Sequence, residues 1–298
     1  MAKAAQFCGF VAERMLPCTE AVDSVHSDGL GIRRAATDAR WGNIEVRELT
    51  GELGTPIAEL AVRSAVARLS RSGSVLAPVL AVERHGTSVH VKASAVAGRR
   101  LSGVLTCLEN HSLRLPDEAL LELSAMVVTV VRWFHEMPGA PVHGAISPDH
   151  LTLRENGQLT LTDGVFAEAI GRLRWSRERI WRQFGVALPP AANEAVFDQP
   201  GDIAGVGAVI LALLLRRAVR PAEYPTAIPD LIMAATAPLP EWGSAMRDWL
   251  QQALQLRSPF SSSADATSAF GGVLQRATRR REGARALLAE MFSVARSA

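Results

Sequence analysis

The chain has 298 residues, 48% of them hydrophobic, ample for the core of one two-lobed unit. A formal net charge of +2 carries no message about partners, so bulk charge does not recruit it to nucleic acid or a membrane surface. Cys8, Cys18 and Cys107 are odd in number and lack metal-ligand spacing, which excludes a cysteine metal site and points to buried or idle thiols in a reducing, cytoplasmic compartment.

In chain order, the first residues imitate a secretion signal, but Glu13 and Arg14 interrupt the apolar run and no small-residue cleavage site follows. Residues 1–24 are therefore expected as an N-terminal extension ending near Pro17. A glycine-bearing turn, His26-Ser27-Asp28-Gly29-Leu30-Gly31, comes next. Arg33 and Arg34 follow it and are expected as solvated strand residues rather than an anion site. Residues 55–69 have helical apolar spacing, with Thr55 as N-cap and Pro56 at the first position. Strands are expected at 75–82 and 88–96 around the turn Glu83-Arg84-His85-Gly86. On the second, strand parity turns Lys92 away from Ala93.

A short helix is expected over 101–108, then a long buried helix over 116–136, opened by Pro116 with Asp117 and Glu118 where the helix dipole favours negative charge. Residues 151–153 and 159–161 flank Glu155-Asn156-Gly157, a hairpin pattern, with a polar loop before it and Asp163-Gly164 after it. The apolar run 203–215 spans 13 residues, short of the about 20 that a bilayer requires, so a buried core helix over 202–217 is expected and no membrane span. Further helices are expected at 241–256 and 263–274. A basic tail, 275–298, ends in an amphipathic stretch suited to docking, self-association, a membrane surface or packing on the body of the protein.

The polar loop and hairpin together carry a family signal. The residues His143-Gly144-Ala145-Ile146-Ser147-Pro148-Asp149-His150, followed thirteen residues after His150 by Asp163, resemble the catalytic loop and metal-binding turn of the protein kinases, H-R-D-x-K-P-x-N and then D-F-G. The resemblance implies an α+β, bilobal protein kinase-like fold with a small β-rich lobe at 25–97 and a large, mostly helical lobe at 98–274. In that family the loop Asp accepts the substrate proton, the Asn holds magnesium and a third-strand Lys pairs with the phosphates. The corresponding positions here are Ala145, His150 and Arg47. Of the glycine-rich loop Gly31 alone fits, and Asp28 puts negative charge where phosphates would lie.

Further positions follow from the same resemblance. Ala93 guards the back of the nucleotide pocket, and residues 94–96 form the hinge. His143 braces the loop, and Asp163 survives as the metal-turn carboxylate. Asp202 caps the backbone of the loop that carries His143, and Gly207 is retained beside it. A pairing of Arg47 with Glu59 on the regulatory helix is conceivable. Gly164-Val165 replace the Phe-Gly of the turn, which should weaken the apolar stack coupling the lobes. The buried Glu–Arg pair of the family is absent at both ends, at Leu188-Pro189-Pro190 and at 258–262.

Residues 171–185 stand where the activation segment belongs and hold five arginines against one glutamate, interleaved with aromatics. Arg174, Trp175, Arg177, Arg179, Trp181 and Arg182 are the candidate partner surface. The alternative is an amphipathic helix over the cleft with its tryptophans inward. The expected function is that of a pseudokinase, not an enzyme, acting as a scaffold or allosteric regulator bound to another protein, with no cofactor and no bound ATP or magnesium. A nucleotide- or ligand-sensing module and an enzyme of altered transferase chemistry are the alternatives.

Overall fold

A computed structural model describes residues 25–69, 75–110, 115–139, 141–188 and 197–277. The expectations for the N-terminal extension, for Cys8 and Cys18, and for most of the basic tail lie outside these residues. The first lobe is a five-stranded antiparallel sheet, β1 (His26–Asp28), β2 (Gly31–Asp38), β3 (Gly42–Leu49), β4 (Val79–His85) and β5 (Ser88–Ser94), in the order β1-β2-β3-β5-β4. Helix α1 (Pro56–Leu69) lies between β3 and β4 in the chain, and the Thr55 hydroxyl accepts from the Ala58 amide at its start. Its buried side, Ala58, Ala61, Val62 and Ala65, repeats at helical spacing and carries small residues, so the helix seats close.

The first expected strand of the 75–96 pair begins later than the pattern suggests. Val75 and Ala77 bond the backbone of Leu161 instead, tying the large-lobe hairpin to the small lobe before β4 starts. That hairpin is β7 (Leu151–Arg154) and β8 (Leu159–Leu161), joined through Gly157 at φ 76°, and it pairs with β6 (Gly98–Arg100) in a three-stranded sheet.

The second lobe is helical: α2 (Leu101–Asn110), α3 (Asp117–His135), α4 (Ala167–Gly171), α5 (Arg177–Phe184), α6 (Gln199–Leu215), α7 (Ile228–Thr236), α8 (Gly243–Ala253) and α9 (Ser263–Arg276). Every residue of 201–214 is buried, because α6 is apolar all round and neighbouring elements cover it on every side. A Cβ on Gly207 would lie 2.9 Å from the Leu254 side chain, so the close seating of the end of α8 on α6 depends on that glycine. Helices α4 and α7 have no counterpart in the sequence expectations.

Two apolar cores result. The larger joins α3, α6, α8 and α9 with the hairpin. The other spans the lobes, setting Leu49, Val62 and Val91 against Phe166, Ile180 and Phe184. The stack expected to be weakened at Val165 is thus supplied by Phe166, which is fully buried one residue further on. Cys107, expected as a buried or idle thiol, is buried, but it is disulfide-bonded rather than free.

Candidate functional site

The cleft between the lobes is filled by charge. Register sets Arg33 on β2 directly opposite Arg47 on β3, and period-two alternation puts Glu45 on the same face as Arg47. From the other lobe come Asp163, after β8, and Arg100, at the end of β6. The Arg47 guanidinium grips Asp163 side-on, Nε to Oδ1 at 3.0 Å and Nη2 to Oδ2 at 3.1 Å, and its Nη1 donates to Asp28 Oδ1 at 2.6 Å. Arg100 forks onto both Glu45 oxygens through Nη2 at 2.7 and 2.6 Å, and through Nη1 it donates to the Thr162 hydroxyl and the Asp149 carbonyl. Three arginines therefore face three carboxylates in one desolvated cluster.

The electrostatics follow from that interleaving. Burial alone would push the Asp163 carboxyl up, yet Arg47, with Arg100 and Arg33, holds it far below the usual carboxylate range. Asp28 is lowered against the same burial penalty by Arg47. Arg47 is raised, the two carboxylates outweighing its desolvation. Arg33 moves the other way, because burial and the neighbouring Arg100 disfavour its charge and its contact to Glu45 is long, 3.9 Å.

Several expectations are corrected here. Arg33 is 6% exposed rather than solvated, since the cleft closes over β2. Arg47 does not pair with Glu59; that glutamate bonds Arg63 and Arg84, on the outer side of α1. The expectation for Lys92 holds: it faces Glu83 and Asp38, away from the cleft, as strand parity implied.

The loop before the hairpin is braced from both sides. Asp202, in the first turn of α6, accepts from the amides of His143 and Gly144, each at 2.7 Å, and from His135 Nε2 at 2.9 Å. The His143 ring donates through Nε2 to the Thr162 carbonyl and accepts the Ala145 amide at Nδ1, so its neutral tautomer is fixed. Desolvation lowers its pKa to about 4. His150 is buried, donates from Nδ1 to the Ala145 carbonyl, and is likewise pushed down by desolvation. Ala145 is enclosed, and Ala93 pairs with Glu45 at the edge of the cleft. Gly31, at φ 137°, has no room for a Cβ beside the Glu48 carbonyl; it serves the β2–β3 pairing.

The basic and aromatic segment resolves into α5. Ser176 caps its start by accepting from the Arg179 amide, and Gly185 ends it in the left-handed region. The helix lies under the glycine turn: a Cβ on Gly29 would collide with the Gln183 carbonyl. Trp175 stacks on Phe184 with ring centroids 5.5 Å apart and carries Arg179 on its face at 3.7 Å, while Trp181 is buried and stacks on Tyr224 at 4.5 Å. The tryptophans thus point inward, Arg177 is half-buried, and Arg174, Arg179 and Arg182 are exposed.

The cleft role of Arg33 was misassigned in the sequence reading, and Glu45, Arg100 and Tyr224 escaped it. Arg33 and Glu45 were signalled by strand parity with Arg47. Arg100 and Tyr224 carry no local signal. Tyr224 is the single tyrosine, and its hydroxyl bonds both the amide and the carbonyl of Leu188, holding the end of the α5 segment where the family's Glu–Arg pair is lacking.

No group of metal-binding side chains occurs among the described residues. No described helix is long and apolar enough to cross a membrane. No protein-family model matches the chain, and no curated protein matches it. Solved structures do. The kinase domain of Mycobacterium tuberculosis PknI, at 14% identity, matches with a TM-score of 0.62 over 86% of this chain and 97% of that one. A double mutant of the same domain matches at 15% identity and the same TM-score, over 86% of this chain and 96% of its own. The expectation that the chain is not an enzyme is corrected by these matches, since the fold they share with it is that of kinase domains. A β-sheet lobe and a helical lobe arranged as in those domains give this chain a protein kinase-like fold.

Proposed function

We propose that the chain is a regulatory module of the kinase-like fold that works by binding another protein, with the exposed arginines of the α5 segment as the contact. The observation that carries this reading is the Arg47–Asp163–Asp28 cluster. At the positions where the family handles phosphate and metal, the Arg47 guanidinium is spent on two carboxylates, Asp163 and Asp28, so it is not free to meet a nucleotide phosphate. The external charge sits instead on α5 and just before it, where Arg174 and Arg182 have no ion-pair partner among the described residues. Arginine beside aromatic surface suits an acidic protein partner, and the near-neutral chain as a whole gives nucleic acid no hold.

The test is co-purification. Arg174→Glu with Arg182→Glu should abolish capture of the protein partner from the native cell while leaving the melting temperature unchanged. Retained capture rejects the α5 surface. Transfer of labelled phosphate from ATP by the wild-type chain, lost in Asp163→Ala, would replace the regulatory reading with a catalytic one.

A further inference from the structure

A cavity of about 390 Å³ lies beneath the glycine turn, walled by α2, by the loop at 147–150, by α5 and by α6. Three buried side-chain atoms on residues of its wall have no hydrogen-bond partner: Asp28 Oδ2, His150 Nε2 and Trp181 Nε1. Each belongs to a side chain at least nine-tenths buried. Folded interiors leave few polar atoms unpaired, and three around one cavity mark a place where a partner belongs.

Their polarities define that partner. Asp28 gives Oδ1 to Arg47 and keeps Oδ2 as an open, anionic acceptor. His150 spends its Nδ1 proton on the Ala145 carbonyl, so Nε2 carries a lone pair and is a second acceptor. Trp181 Nε1 can only donate. Between them the wall is apolar, with Leu105, Val209, Ala212 and Val219.

We propose that this cavity binds a small organic ammonium ion. Its N–H groups bond Asp28 Oδ2 and His150 Nε2, its apolar frame lies on Leu105, Val209 and Ala212, and an acceptor at its far end takes the Trp181 N–H. Ala93 and residues 94–96 do not line the cavity, so it lies away from the hinge that the resemblance implies, while Asp28 and His150 set it beside the positions of phosphate and metal. The site also stands independently of the partner-binding role of α5.

The full chain, labelled with 15N, is titrated with tyramine, which offers an ammonium group, a ring and a phenolic oxygen. The control is 4-(2-hydroxyethyl)phenol, the same frame without the charge. The Trp181 indole N–H signal, identified by its loss in Trp181→Phe, should move downfield and saturate with tyramine. Asp28→Asn should weaken binding by about tenfold or more through loss of the charge-assisted contact. Because Asp28 also touches Arg47, a second variant, Ser102→Phe, fills the cavity from its rim and should abolish the shift while the rest of the spectrum is retained. A Trp181 signal unmoved by saturating tyramine overturns the proposal. So does an equal response to the neutral alcohol, or a shift that persists in Ser102→Phe.

Discussion

Arg47 is the residue on which the cleft turns. It is fully enclosed and satisfies two carboxylates at once. Removing one partner of a buried pair strands the other charge, so Arg47→Met should cost roughly 3–5 kcal/mol in urea denaturation. The double variant Arg47→Met, Asp163→Leu should cost clearly less than the sum of the two single changes, because the second removes a charge the first left unpaired. Additive costs would refute the coupling. His143 supplies a pH signature. Its folded pKa of about 4 lies below the ordinary histidine value, so the unfolded chain takes up the proton first as pH falls, and stability drops across the window from about 6.5 to 4. The loss from this one group is roughly 3 kcal/mol at the lower end. His143→Gln should flatten that part of the stability curve; an unchanged slope would assign the loss to other groups.

At the scale of elements, α5 is held from three directions: its Ser176 cap, the glycine turn above it, and Tyr224 beside it. Tyr224→Phe keeps the ring stacked on Trp181 but takes the hydroxyl from both backbone groups of Leu188. The expected cost is about 1–3 kcal/mol, the range for a buried backbone group left unpaired, with faster proteolytic cleavage after α5. Gly29→Val should be worse for the position of α5 than for the sheet, since its added atoms meet the Gln183 backbone and nothing flexible can yield. Hydrogen exchange in α5 that rises while that in β2 and β3 stays constant would show this. The helix of 177–184 was legible in the sequence as an amphipathic reading of a basic, aromatic stretch with its tryptophans inward. Which rings the tryptophans meet, Phe184 for Trp175 and Tyr224 for Trp181, required the packed structure.

For the whole molecule, the two lobes are joined by a shared apolar core and by the charge cluster, with Val75 and Ala77 bonded to Leu161 as a third tie. Closure is therefore built in. Seating Mg-ATP would require opening Arg47 from Asp163, and magnesium with ATP is expected to leave the melting temperature unchanged for the wild-type chain. A concentration-dependent rise would show that the cleft opens to nucleotide. Periodicity and turn chemistry sufficed to predict α1, α3, the 151–161 hairpin and the buried helix through Asp202, because these are local: caps, a 3.6-residue repeat and a glycine at a positive φ are written in neighbouring residues. The resemblance to the protein kinases carried by residues 143–150 and Asp163 likewise sufficed for the fold class. What the tertiary structure alone decided is which charges meet. Arg47 and Asp163 are 116 residues apart, and Arg100 and Glu45 are 55 apart. No local rule distinguishes an arginine that ends in solvent from one that ends against a carboxylate of the other lobe. Burial made the difference, because a desolvated guanidinium must find its counter-charge wherever the packing of the lobes brings one within reach.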